Sequence, residues 1–426
     1  MNLALRAAYA TAGTLAEWAA AVAPRGGGKT MASLAGRQGV LGRFAQWGTA
    51  HRDPARPLVW LHAPSVGEGL QARPVIDLIR RHRPDVQVVY THFSSSAAAF
   101  ASRVGADFAD FLPFDTAHGA RAALQAIRPT ALVFSKLDVW PVLVDEAARR
   151  GVRIAMIAAT LAEGSGRRGG VARALLGDAY AALTAVGAID AADAARLVVL
   201  GVDASRVRLT GDSRYDQVWA RAQGADRAAA AIAPLVSPRP TLVAGSTWPS
   251  DQQALEGAWR VLHSRLPDAR LIIAPHEPTP SHLAAIEAWT ARAGLRGARL
   301  GAADAAAADV VIVDRVGVLG ELYALADVAY VGGGFHTAGL HSVLEPAAYG
   351  APVLFGPQCA GSRDAGLLIT ARGGRSAADA QDLGEALVQW MSDAAARIEA
   401  GQRAREMVRA GLGAAQRSYE MVAALL

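Results

Sequence analysis

The chain has 426 residues, 52% of them hydrophobic and 19% charged, with a formal net charge of +5. That composition excludes a disordered chain, and the length calls for two cores rather than one. The modest basic excess favours anionic small molecules or an acidic membrane surface, and no Lys/Arg run with interleaved aromatics marks a nucleic-acid face. A single cysteine, Cys359, excludes an internal disulfide and a cysteine-based zinc site.

Taken in chain order, the first element is an apolar, alanine-rich stretch from Leu3 to Ala23, interrupted by Arg6 and Glu17. A spanning helix needs roughly 20 largely apolar residues. Basic residues Arg25, Lys29, Arg37 and Arg43 follow. The pattern reads as a helix lying in or crossing a membrane with its basic side cytoplasmic; the competing reading is a helix packed on its own domain. The run Ala23-Pro-Arg-Gly-Gly-Gly-Lys29-Thr30 fits a relaxed phosphate-loop expression. A working loop needs a strand before it, and here a helix precedes it, so a basic linker is the reading.

From residue 57, short apolar runs alternate with amphipathic stretches. Strands are predicted at Leu58–His62, Val86–Thr91, Ala131–Ser135, Arg153–Ala158, Leu183–Val186 and Val207–Thr210. Continuous β-branched runs between helices indicate buried parallel strands. The stretch from Arg221 to Arg239 carries no strand signal and reads as a linker. A second series follows at Thr241–Ala244, Leu271–Ala274, Val310–Val313, Val328–Val331 and Val353–Phe355, and the tail from Asp379 reads as helical. The expected organisation is an anchor-like segment over 1–28, a Rossmann-like domain over 29–220, a linker over 221–240, a second Rossmann-like domain over 241–405 and a terminal helix over 406–426. Ligands of open α/β sheets bind beyond the carboxyl ends of the strands, so the residues after each strand are the candidates.

After the first strand comes His62-Ala-Pro-Ser65-Val-Gly67-Glu68. Ser65 suits a helix N-cap, and Glu68 in the first turn can serve as general base on a hydroxyl. The helix dipole favours an acid there without any catalysis. Ser135-Lys136-Leu-Asp138-Val-Trp140-Pro141 follows another strand, with a local salt bridge as the plain alternative. Arg214, in Thr210-Gly-Asp-Ser-Arg-Tyr-Asp216, is a candidate for an anionic group. In the second half, Gly245, Ser246 and Thr247 can form an anion nest, and His276 can meet a nucleotide phosphate or base. The strongest signal is Gly332-Gly-Gly-Phe-His-Thr-Ala-Gly339-Leu-His341-Ser342-Val-Leu-Glu345-Pro346. This is a glycine-rich loop running from a strand into a helix opening near Ser342, with Glu345 placed to accept ribose hydroxyls.

At these residues the chain resembles the 3-deoxy-D-manno-octulosonic acid (Kdo) transferase family. The likeness rests on His62 to Glu68, Asp138-Val-Trp-Pro141, Ala244 to Thr247, Gly320-Glu-Leu-Tyr-Ala-Leu-Ala-Asp-Val-Ala-Tyr-Val-Gly-Gly333 and His341 to Pro346, in that order. The resemblance implies an α/β fold of the GT-B class, two doubly wound Rossmann-like domains with an interdomain cleft. It implies inverting transfer from CMP-Kdo as co-substrate to a lipid A precursor, with neither metal nor further cofactor, at the cytoplasmic face of the inner membrane. By the same resemblance Glu68 is the base, Arg214 the basic transition-state residue where lysine is usual, and Asp138 part of the acidic site. The family's donor contacts fall on His276, Leu319, Gly320, Glu321, Ser342 and Glu345, and the loop reading adds Gly245, Ser246, Thr247, Gly339 and His341. Three departures stand out: Lys136 replaces an acidic residue, Pro275 an arginine, and Gly339-Leu-His-Ser342 the usual Gly-Gly-His-Asn. They leave open another nucleotide-sugar donor, a non-catalytic nucleotide-sugar-binding protein, or a hydrolase or epimerase on the same fold with His336 or Asp138 as a second acid.

Overall fold

The computed structural model describes residues 3–24, 28–229 and 232–426. The chain divides into two compact units, Met1–Gln217 with Leu412–Leu426, and Val218–Gly411.

The first unit is built on β1 (Leu58–His62), β2 (Gln87–His92), β3 (Phe108–Phe111), β4 (Ala131–Ser135), β5 (Arg153–Ala159), β6 (Ala185–Ala188) and β7 (Val207–Leu209). These strands pair in parallel in the order β3-β2-β1-β4-β5-β6-β7. Leu58, Trp60 and Phe134 pack on one face of the sheet, and Val59, Leu61 and Val133 on the other. Burial on both faces explains why these strands read as unbroken apolar runs.

The second unit repeats the plan with β8 (Thr241–Thr247), β9 (Arg270–Pro275), β10 (Gly297–Arg299), β11 (Val310–Ile312), β12 (Val328–Val331), β13 (Val353–Phe355) and β14 (Gly374–Ser376). Its order is β10-β11-β9-β8-β12-β13-β14, again parallel. In each sheet the chain starts near the centre, fills one side, and then returns to build the other. The switch points lie between β1 and β4 and between β8 and β12, which is where such sheets open a crevice at their carboxyl ends.

Three strands escaped the sequence reading. β3, β10 and β14 each hold an edge, or in the case of β14 the far end, of their sheets. With one ladder neighbour and little burial, Gly297–Arg299 and Gly374–Ser376 need no apolar run. The predicted 221–240 linker carries no strand among the described residues but is not featureless. The helix Arg214–Gln223 runs into it, and Ile232 and Leu235 are buried in the second unit's core. The tail divides differently from the expected 406–426 element: Ala394–Ala410 stays with the second unit, and Ala414–Ala423 returns to the first. Asp216 accepts the amides of Gly413 at 2.7 Å and Ala415 at 2.9 Å, which seats that return.

At the N-terminus the helix Leu3–Ala21 packs on its own unit. The Tyr9 hydroxyl donates to Asp115 at 2.8 Å, and the Thr116 hydroxyl donates to Glu17 at 3.3 Å. No helix among the described residues is long and apolar enough to cross a membrane. Two of the expected basic flanking residues turn inward. Arg43 pairs with Asp110, Nη2 to Oδ1 at 2.8 Å. Arg37 is buried, donating to the carbonyls of Ser33, Leu112 and Phe93 with its guanidinium 3.9 Å from the Phe93 ring centroid. Arg25 and the Arg25–Gly27 part of the phosphate-loop-like run lie outside the described residues.

The returning helix and the residues after it bury Met421, Val422 and Leu425 against the first unit's core. Each such side chain is worth about 1.5–3 kcal/mol. A chain ending at Gly411 is therefore expected to lose several kcal/mol from the first unit, seen as a lower denaturation midpoint by circular dichroism.

Candidate functional site

In the first unit β1 ends at His62, and the chain turns through Ala63–Ser65 into the helix Val66–His82. Ser65 caps that helix, its Oγ accepting from the Gly67 amide at 3.2 Å. The same hydroxyl donates to Glu68 Oε2. The other carboxylate oxygen, Oε1, accepts from Lys136 Nζ at 3.0 Å. Ser135 Oγ donates to the Glu68 carbonyl at 2.9 Å, tying the first turn of the helix to the end of β4. Glu68 and Lys136 thus face each other across the switch point. Burial alone would raise the Glu68 carboxyl, but the Ser65 hydroxyl and the Lys136 charge and hydrogen bond outweigh it and leave it below the ordinary glutamate value. The buried Tyr90 hydroxyl, which has no hydrogen-bond partner among the described residues, lies beside Gly69 in the same turn.

His62 links two of the motifs. Its Nδ1 lies 3.1 Å from the Thr91 carbonyl, and its Nε2 accepts from the Trp140 indole N–H at 3.1 Å. That pattern puts the ring proton on Nδ1, and complete burial pushes the imidazole down to about 3. His62 is therefore a neutral tie that holds the Asp138–Pro141 turn against β1.

The other two candidates in this unit are held by internal partners. Asp138 forms an ion pair with Arg167. Arg214 folds back on buried Asp212, Nη2 to Oδ2 at 2.6 Å. Asp212 also accepts from Gln71 Nε2 at 3.2 Å, and the Ser213 hydroxyl donates to the Gln71 carbonyl at 2.5 Å. Gln71 lies three residues beyond Glu68 on the same helix, so the Arg214 loop is anchored to the helix that carries Glu68.

In the second unit the end of β8 and the glycine loop after β12 converge. Gly332 N–H donates to the Gly245 carbonyl at 2.9 Å, and His341 N–H to the Gly332 carbonyl at 3.1 Å. Gly332 and Gly333 are required: a side chain on Gly332 would strike the Ser246 backbone, and Gly333 sits at φ +94° against Gly339. The organiser of this loop is Asp251, fully buried. Its carboxylate accepts from the amides of Trp248 at 2.8 Å, Gly333 at 2.8 Å and Phe335 at 3.2 Å, and from the Tyr330 hydroxyl at 2.7 Å. Sequence reasoning passed over Asp251. Its one trace is an acid at the third position of a helix starting at Pro249, where a capping carboxylate belongs.

Three imidazoles gather on Trp248. His336 stacks on its indole at 4.2 Å and His276 at 4.6 Å between centroids, and the indole N–H donates to His341 Nε2 at 3.0 Å. His276 and His341 stack on each other at 4.4 Å. Burial first, and the neighbouring imidazoles with it, hold His341 below the ordinary histidine value. Among the described residues no group of three or more His, Cys, Asp or Glu stands where it could hold a metal ion.

The remaining donor candidates form a second cluster. The helix expected near Ser342 begins later, at Leu344, and is five residues long; Ser342 is an exposed loop residue before it. Glu345 pairs with Arg221 at 3.0 Å, and Arg221 also covers Gly320, whose neighbour Leu319 packs on Gly245. Burial raises the Glu345 carboxyl against the pull of Arg221. A cavity of about 300 Å³ beside this pair is lined by Arg221, Glu321 and Tyr349 among others. Arg221 carried no signal in the sequence beyond its place in a predicted linker.

Comparison with known proteins bears on both units. Residues 38–217 match the family model described as 3-deoxy-D-manno-octulosonic-acid transferase (kdotransferase). The chain is similar to the 3-deoxy-D-manno-octulosonic acid transferase of Bordetella pertussis, 31% identical over 395 residues that cover 89% of this chain and 90% of that protein. It is 24% identical to the Haemophilus influenzae protein of the same name over 75% of each chain. Among solved structures, UDP-GlcNAc 2-epimerase from Neisseria meningitidis superposes with a TM-score of 0.61 at 12% identity, covering 86% of this chain and all of that one (100%). That likeness is one of fold and places the two doubly wound units in the GT-B class.

Asp251→Ala would leave two or more buried donors in the glycine loop without an acceptor, each costing about 1–3 kcal/mol. The variant is expected to melt well below wild type and to expose amides 333–335 to hydrogen exchange, read by mass spectrometry.

Proposed function

Since the chain belongs to the 3-deoxy-D-manno-octulosonic acid transferase family, a family of glycosyltransferases, we propose that it moves Kdo from CMP-Kdo to a lipid A precursor in lipopolysaccharide core biosynthesis, with inversion. The observation that carries this reading is the Glu68 carboxylate, held ionised beside the switch point of the first sheet by Ser65 and Lys136. The two carboxylate oxygens offer about four lone-pair sites, so one stays available after the bonds from Ser65, Lys136 and the Glu68 amide. Glu68 takes the proton of an acceptor hydroxyl as that oxygen attacks the anomeric carbon of Kdo. The bond from that carbon to the phosphate oxygen breaks on the opposite side, CMP leaves with the electron pair, and the configuration inverts.

The second unit supplies the nucleotide site in this reading. The Trp248 platform with His276 and His341, and the backbone of Gly339–Ser342 and Gly245–Thr247, receive the phosphate and base. Glu345 exchanges its ion pair with Arg221 for ribose hydroxyls, next to Leu319, Gly320 and Glu321. The chemistry is carried by backbone donors and imidazoles at the leaving phosphate. Asp138 and Arg214 act from their ion pairs with Arg167 and Asp212, keeping the loops around Glu68 in place. A nucleotide-sugar-binding protein without turnover is the second reading, drawn from the cation that replaces an acid at position 136.

A membrane surface completes the proposal. Leu15, Trp18 and Val22, spaced by three and four residues, are 64%, 74% and 83% exposed. Tyr9, Glu17 and Ala20 lie on the opposite side of the helix, against the protein. A helix with one face docked and an apolar stripe outward suits the headgroup layer of the cytoplasmic leaflet rather than a span.

Purified wild type is expected to release CMP and add Kdo mass to a lipid A precursor, and Glu68→Gln to lower kcat at least 100-fold with CMP affinity within about twofold. CMP binding without transfer by wild type would support the binding-protein reading. Replacing Leu15, Trp18 and Val22 together by serine is expected to abolish co-sedimentation with anionic vesicles, with turnover on detergent-dispersed acceptor retained.

A further inference from the structure

Lys136 sits in the left-handed region at φ +74°. Glycine or asparagine would take that conformation at lower cost, and a long charged side chain there is uncommon. The surrounding turn over-determines it. The Lys136 amide donates to the Ile157 carbonyl at 2.8 Å, the Leu137 carbonyl accepts from the Tyr180 hydroxyl at 2.9 Å, and Asp138 is paired with Arg167. Two residues later the Trp140 indole is fixed on His62. Strain held in place from four sides at the end of a central strand points to a function for the side chain it aims.

That side chain reaches Glu68. The Lys136 side chain is 45% exposed and its ammonium lies 3.0 Å from the carboxylate of Glu68, whose side chain is 15% exposed. Ser65 fixes the other oxygen. The titratable groups facing Glu68 from the neighbouring strands are Tyr90 on β2 and His62 on β1. Burial keeps the Tyr90 phenol protonated and the His62 imidazole neutral, so neither balances the Glu68 charge. Lys136 does.

We propose that Lys136 is a positioning residue for the base: the strained turn after β4 aims its ammonium at Glu68 Oε1, and the pair with Ser65 on Oε2 locks the carboxylate in one orientation toward the acceptor hydroxyl. The proposal rests on the reading of Glu68 as general base. It assigns a task to the lysine that departs from the family pattern, and it makes the acid limb of the reaction a property of position 136. With the ammonium gone, burial of Glu68 acts against only the Ser65 hydroxyl and the Glu68 amide, and the carboxyl moves up.

The test uses the full chain with Lys136→Met, Lys136→Arg and Glu68→Gln. For Lys136→Met, kcat is expected to fall about tenfold, with the KM for CMP-Kdo within about twofold. The acid limb of the kcat/KM profile should move about one pH unit upward. Lys136→Arg should restore the limb and most of kcat. The 13C resonance of the Glu68 carboxyl, assigned by its loss in Glu68→Gln, should titrate higher in Lys136→Met whether or not turnover is measured. Lys136→Gln reads the same titration if the methionine variant does not fold. An unshifted carboxyl and limb in the charge-free variants, with Glu68→Gln inactive, would overturn the positioning role and leave the base. Full activity in Glu68→Gln would overturn the base reading, and this proposal with it.

Discussion

A parallel strand covered on both faces can offer a side chain to a ligand only where it ends. In both sheets of this chain the central strands have no polar face to spare, and their carboxyl ends meet at a point where the winding reverses. Everything chemical follows from what the chain places there. Beyond β1 and β4 stand Glu68 and Lys136; beyond β8 and β12 stand the Gly245–Thr247 turn and the glycine loop. The two units share this plan but fill it with opposite chemistry, an ionised carboxylate in the first and backbone donors with imidazoles in the second.

The loops at these ends are kept in shape by buried carboxylates that bond to backbone amides. Asp251 takes three amides and a phenol in the second unit. Asp115 takes the Val142 and Leu143 amides and the Tyr9 hydroxyl in the first, and Asp193 takes the Leu161 amide and the Thr160 hydroxyl. Asp212 holds both the Arg214 guanidinium and the Gln71 amide. A charge withdrawn from water needs full hydrogen bonding, and these acids find it by organising the turns around them. Asp138, Arg214 and Glu345 show the same economy: each stands near a site, and each is engaged by a neighbour of opposite charge.

The legible part of the fold was the part with strong physical signals. Central strands declared themselves as apolar runs, and the strand-end motifs pointed to Glu68, His276 and the glycine loop. Two edge strands of the second sheet did not, because Gly-Ala-Arg and Gly-Arg-Ser need no burial to pair once. Asp251 stayed hidden because, beyond the local Trp248 amide, its partners are the Tyr330 hydroxyl and the Gly333 and Phe335 amides, about eighty residues away, which no local pattern encodes. Arg221 stayed hidden because its carboxylate lies on another helix. The N-terminal segment was misjudged in one respect: Arg37 and Arg43 look like a flank for an anionic surface, yet Phe93 and Asp110 are what they meet.

The return of Leu412–Leu426 to the first unit has a consequence for how the chain is made. The first unit's core includes Met421 and Val422, which leave the ribosome after the whole of the second unit. During synthesis the first sheet can pair its strands early, but the helix Val66–His82 must wait with one flank uncovered while nearly two hundred residues of another domain are translated and collapse beside it. Domains that fold strictly in order of emergence avoid such a wait. Here the N-terminal half is begun first and closed last, so the interval between those events is when the nascent protein is most open to misassociation.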